Sequence, residues 1–349
     1  MRNLTAAVVL LAAPVVARAQ EPVSLQCKFA LGQETTYRLT ATGLASIETD
    51  APPGDGIPAG DIQFDINADF AERVDALGEG WGELAVRLKQ ASLSANLASG
   101  MGQIEFHLKL PEAQIEVLVN GQLMPQEQKP QDMRPILALM EMPILVRVDA
   151  TGRVVRLPQL DLLRLMSPLL NLDAMQAGST GYLPPQPVRA GDRWQQKQML
   201  PVALPAPDGT QQSEIVIDHV LRELTKLGAR DVAVIGTQWQ LALGDMRNFR
   251  FPGQPEQPPK EGEEGREPAG LEGADFAVAG DLYFDWNAGR MVRADLNVKG
   301  NLSFTEWKVI PEQPGAPPPP AEPEQQPEPI LTHTSLRGID ISLTIEQAM

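Results

Sequence analysis

Long runs of strictly alternating apolar and polar residues leave this chain few ways to fold. In residues 292–304, Val292, Ala294, Leu296, Val298, Leu302 and Phe304 oppose Arg293, Asp295, Asn297, Lys299, Asn301 and Ser303. Between 61 and 70, Ile62, Phe64, Ile66, Ala68 and Phe70 oppose Asp61, Gln63, Asp65, Asn67 and Asp69. Near the C-terminus Ile339, Ile341, Leu343 and Ile345 alternate with Asp340, Ser342 and Thr344. Successive side chains of a strand point to opposite faces, so each run has one dry and one wet side. That is the pattern of an antiparallel sheet, since parallel sheets are covered on both faces. Several runs exceed the usual five or six residues, which predicts a strongly twisted sheet curling towards a barrel. The expected fold class is mainly β (α+β): a long curved antiparallel sheet or half-barrel.

The turns agree with this. Asn120-Gly121 is a two-residue hairpin signal, and Gly78, Gly80 and Gly228 separate further pairs of runs. Asp149-Ala-Thr-Gly152-Arg-Val-Val-Arg156 resembles Asp285-Trp-Asn-Ala-Gly289-Arg-Met-Val-Arg293, and each follows a longer hairpin, 61–97 or 212–244. A Gly ahead of an aromatic-led strand recurs at Gly32–Tyr37 and Gly191–Trp194. Two copies would cover roughly 28–157 and 188–346; the rival reading is that any two hairpins share turn chemistry.

Between them, 159–176 carries Leu160, Leu162, Leu163, Leu165, Met166, Leu169, Leu170, Leu172 and Met175 around a narrow stripe of Asp161, Arg164, Asn171 and Asp173. A helix apolar nearly all round is a buried one, and Pro168 must kink or split it. A shorter helix is predicted around 133–141, with Pro135 in its first turn. The central helix either plugs the core or lies over the concave sheet around a ligand. In the second case Leu162, Leu165, Met166, Leu169 and Leu170 are the candidate ligand-binding residues. The expected organisation is a signal peptide over 1–19, an N-terminal β half over 20–157, a helical insert and linker over 158–187, and a C-terminal β half over 188–349. Pro- and Gly-rich stretches at 252–273 and 311–329 read as disordered loops within that half.

Residues 1–19 combine Arg2, an apolar run from Leu4 to Val16 and Ala17-Arg18-Ala19, the pattern of a cleaved secretory signal; the run is too short to stay as a transmembrane span. The expected location is periplasmic or extracellular. The net charge is −16; without Arg2 and Arg18, 27 basic residues face 45 acidic ones, −18. Such a charge repels nucleic acid and anionic lipid headgroups, and since no other stretch reaches the roughly 18 apolar residues of a transmembrane helix, no stable membrane insertion is expected. The single cysteine, Cys27, has no partner for an intramolecular disulfide and no lipobox before it, so it reads as a half-buried thiol at the start of the first strand.

Catalytic signatures are missing. His107, His219 and His333 are isolated, without metal-site spacing, and His107 and His219 read as half-exposed strand residues. There is no nucleophile elbow, P-loop or dinucleotide fingerprint, and Gly178-Ser-Thr-Gly181 opens no helix that could hold an anion. Asp61, Asp65 and Asp69 form a row on one strand face, but strand residues two apart stand about 7 Å from each other, too far for a calcium loop. No enzyme, cofactor or metal is expected. Twelve methionines and few aromatics suit an adaptable apolar interior.

Leu183-Pro-Pro-Gln-Pro-Val-Arg-Ala-Gly191-Asp192-Arg193-Trp194 and Ile144-Leu-Val-Arg-Val-Asp149-Ala-Thr-Gly152-Arg-Val-Val resemble phrases of uncharacterised secreted bacterial β proteins. That resemblance implies a cell-envelope context and no activity. The architecture resembles the periplasmic lipoprotein carriers, half-barrels with helices on the concave side, without a motif residue to transfer. The expected function is a non-catalytic envelope protein that binds a lipid or other apolar molecule in a concave sheet. The alternative is a structural or interaction module with a filled core, meeting protein partners through sheet edges or proline loops.

Overall fold

The computed structural model describes residues 21–51, 58–100, 102–112, 114–124, 143–156, 181–247, 269–308 and 330–348. Within them the alternating runs are strands of one antiparallel sheet: β1 (Glu34–Thr49), β2 (Gly60–Gly78), β3 (Trp81–Ser99), β4 (Gly102–Leu110), β5 (Gln114–Val119), β6 (Gln122–Leu123), β7 (Ile144–Asp149), β8 (Val154–Arg156), β9 (Arg193–Pro205), β10 (Gln211–Leu227), β11 (Arg230–Leu243), β12 (Gly270–Asp285), β13 (Arg290–Lys308) and β14 (Ile330–Gln347). Twelve follow the order β6-β5-β4-β3-β2-β1-β14-β13-β12-β11-β10-β9, and β7 branches from the start of β3 and carries β8. The sheet is open, and no described residue is helical.

The predicted helix at 159–176 and its five candidate contacts, the helix at 133–141, residues 1–19 and the loop at 311–329 all lie outside the described residues. The loop assigned to 252–273 is corrected at its C-terminal end. Gly270–Gly273 already belong to β12, where Leu271 pairs with Phe304 and Gly273 with Ser303. Cys27 is also corrected: it precedes β1 by seven positions, in a segment that crosses the sheet rather than in a strand.

The hairpin turns form where the sequence marks them. Asn120 and Gly121 both take left-handed backbone, with φ of 52° and 76°, as a turn matched to strand twist requires. Gly280 and Gly300 sit mid-strand where the neighbouring backbone comes so close that a Cβ would collide with a carbonyl oxygen. Phe64 lays its ring over Gly43 and Phe276 over Gly300, a device that covers a glycine where a strand bends.

The same bonding pattern occurs once on each side of the β1–β14 pair. Gly32 N–H donates to the Val74 carbonyl and Val74 N–H to Gln33; Gly191 N–H donates to Leu221 and Leu221 N–H to Asp192. A bulge follows Val74 and another follows Leu221. Val74 pairs with Leu84 and Leu221 with Ile235; three residues earlier on β3 and β11, Trp81 pairs with Asp149 and Val232 with Asp285. Each of these aspartates then closes its turn the same way. Its Oδ1 accepts a backbone N–H, from Thr151 or Ala288, and its carbonyl accepts Gly152 or Gly289.

The two halves meet at β1 and β14, paired along nearly their whole length. The core lies at one end of the sheet. There Leu221, Ala233, Ile235 and Phe284 are sealed by Leu25, Leu183 and Val188 from segments 21–33 and 181–192. Val23 bridges Val188, Cys27 N–H donates to Ala150 and Lys28 N–H to Gly289, so the N-terminal segment is stitched to both aspartate turns.

Candidate functional site: an open apolar face with a cavity at its capped end

One face of the sheet is apolar from β5 across to β11. On β1 and β2 it carries Ala41 and Ala45 beside Ile66 and Ile62. The row continues through Leu93 and Leu108 to Ile115, and in the other direction through Leu343 and Leu296. A second row runs through Phe64, Ala95 and Phe106 on one side and Ile341, Val298, Val278 and Trp239 on the other. The described strands all belong to this one sheet, so no second sheet covers the face. Most of its side chains beyond the core are half-buried.

The opposite face is wet. Arg38 reaches Asp69 at 3.0 Å, Lys197 reaches Glu214 at 3.0 Å and Lys299 reaches Asp340 at 3.3 Å, exposed cross-strand pairs worth little in stability. The row Asp61, Asp65, Asp69 sits on this face with separate partners. Ser46 donates to Asp61, and Arg38 and Gln90 donate to Asp69. Among the described residues no three His, Cys, Asp or Glu side chains gather as a metal site would require.

Segments 21–33 and 181–192 close one end of the apolar face over a cavity of about 240 Å³. Tyr37, Phe70, Val74 and Leu84 form its floor, Tyr182 and Phe29 part of its roof, and Glu72 and Arg290 are ionisable groups in its wall. Tyr37 and Phe70 stack at 5.4 Å, and the Tyr37 hydroxyl donates to the Met291 carbonyl. The Cys27 thiol lies 3.8 Å from the Tyr182 hydroxyl, and burial pushes it up to about 11, which keeps it protonated and inert. Burial likewise raises the Tyr37 and Tyr182 hydroxyls. Burial raises the Glu72 carboxyl above its ordinary range, and the nearby Arg290 charge opposes this. Arg290 donates from Nη1 to Thr35 Oγ1 at 3.1 Å, while its buried Nε has no partner among the described residues.

The histidines do not converge. His107 stands 3.7 Å from Glu105 and His333 3.2 Å from Glu272, each about half-exposed. His219 differs from its expected half-exposed state: it points to the apolar face, 3 % exposed, stacked on Trp194. The register explains this, because His219 continues the row of Ile215, Ile217 and Leu221 on β10. Burial lowers its pKa from 6.5 to about 4. The unfolded chain therefore takes up a proton first as pH falls. The stability this neutral histidine contributes is complete above pH 6.5 and is lost between there and about 4. Between pH 7 and 4, wild-type protein should lose up to about 3 kcal/mol more than His219→Phe in denaturant titrations. Equal losses would show that the ring is hydrated in solution.

The spacing of the sequence places Phe70, one residue of the cavity floor, on the apolar face through the Ile62–Phe70 alternation. It does not identify the roof, because Cys27, Phe29 and Tyr182 belong to irregular segments whose place depends on long-range packing. No family model and no curated protein sequence matches this chain. Among the described residues no helix is long and apolar enough to cross a membrane.

Proposed function

We propose that this protein is an exported, non-catalytic carrier that holds a lipid or another apolar molecule against its open sheet face. The observation that carries this reading is the apolar face itself, continuous across the β1–β14 seam, with no second sheet among the described strands to cover it. A contiguous row of half-buried apolar side chains offers such a molecule a contact surface that singly scattered apolar residues do not. Residues 1–19 support an envelope location through their signal-peptide pattern, and the likeness to secreted bacterial β proteins points the same way. We also infer that the halves are copies of one unit, since hydrogen bonds, bulges and aspartate-closed turns recur in the same register.

The test is a comparison of native and denaturing mass spectra of protein exported with its own leader and purified without detergent. Mass lost on denaturation supports the carrier and identifies its ligand class. A bare polypeptide that takes up no apolar dye sinks the carrier and leaves an interaction module with a filled core. Ile66→Gln combined with Leu93→Gln, paired neighbours on the open face, separates the readings again. An open face predicts a several-fold loss of dye binding with stability changed by no more than about 1 kcal/mol, as for surface positions. A filled core predicts a loss of several kcal/mol.

A further inference from the structure

We propose that the capped cavity receives the anionic head of a single-chain amphiphile, a long-chain carboxylate, with Arg290 as its ion partner and the open apolar face as the bed of its hydrocarbon chain. This rests on the carrier reading and names the ligand class of that site.

Charge selects an anionic head. Arg290 uses one donor on Thr35, its Nε is buried without a partner, and no carboxylate among the described residues lies within ion-pair distance of it. A guanidinium presents a planar fork that a carboxylate meets with two parallel hydrogen bonds. The other cation in the wall, Lys28, already donates to the Trp286 and Asn287 carbonyls at 3.1 and 3.0 Å. Among the described residues Glu72 is the only carboxylate in the lining. It forms no ion pair with Arg290 and so leaves the guanidinium available, while burial raises its carboxyl and the Arg290 charge opposes this.

The size of the cavity and the direction of the apolar track fit a single chain. At about 240 Å³ the cavity falls below the roughly 300–1,000 Å³ of sites that enclose a whole small molecule. A head group fits; a complete lipid does not. Phe70 in the cavity floor is followed on the same face of β2 by Ala68, Ile66, Phe64 and Ile62. At about 3.4 Å per residue that track extends roughly 27 Å. One leaflet's share of a ~30 Å hydrocarbon core is about 15 Å, so an acyl chain is accommodated along it.

The experiment compares a fluorescent polyene fatty acid with its methyl ester on the delipidated full-length protein. The acid should bind at least tenfold more tightly than the ester. Arg290→Gln should bring the acid to the ester's affinity while ester binding, which also reports folding, is unchanged. Glu72→Gln should tighten the acid several-fold by removing a competing negative charge and leave the ester alone. Equal affinities of acid and ester for the wild type, or an acid preference that survives Arg290→Gln, would overturn the head-group assignment only. Absence of binding by both probes removes the carrier reading, and this inference with it.

Discussion

Replacing Phe284 by alanine should lower the melting temperature by on the order of 10 °C. Phe284 is fully buried, stands edge-on to Tyr182 at 6.5 Å, and belongs to the cluster of Leu25, Leu183, Leu221 and Ile235. Truncating such a side chain costs about 3–5 kcal/mol, because the cavity left behind adds to the lost transfer energy. In a protein of this size each kcal/mol moves the midpoint by roughly 2–4 °C. The effect should be that large because the described strands form a single sheet whose cluster of fully buried side chains sits at one end. A shift of only a degree or two, in either calorimetry or urea titration, would mean that stability resides elsewhere, in packing across the open face.

Leu25→Asp should be at least as damaging, although Leu25 lies outside every regular element. It is 1 % exposed, locked between the two halves by the Val23–Val188 bridge and the Cys27–Ala150 bond. Truncation of a buried leucine alone costs about 2–5 kcal/mol, and a carboxylate there must also be neutralised or dragged into water. Leu31→Asp is the control. That leucine is 68 % exposed in the same segment, and its replacement should stay within about 0.5 kcal/mol. If both variants unfold at the wild-type urea midpoint, the N-terminal segment is not part of the core.

Elements built from local periodicity are legible in the sequence, and those built from long-range closure are not. The alternation around Ile66, Val298 and Ile341 announces antiparallel strands because it reports on only two faces. Asn120-Gly121 and the aspartate turns at Asp149 and Asp285 depend on backbone chemistry within a few residues. Strand order is different. Nothing near Leu39 or Ile345 states that β1 and β14 pair, since that contact joins opposite ends of the described chain. The burial of His219 depends on register, which a polar residue in an apolar row obscures. Arg290 has the sequence context of an ordinary turn residue, and only the fold brings it beside Thr35 and Glu72. The leucine-rich segment at 159–176 stands out for its composition, while the groups with definable chemistry come from quieter stretches.

The seam between the halves has a consequence for how the molecule comes into being. β1 is the first strand of the described chain and β14 the last, so the pairing that joins the halves must wait for Ile330–Gln347 to emerge. Until then β1 presents one long unpaired edge, flanked by apolar side chains, for the whole of synthesis. Contacts of such high sequence separation form slowly, and an exposed edge of this kind recruits other strands. A chain with this topology needs protection while incomplete, and truncation before Ile330 should yield an aggregating product rather than a stable half-molecule.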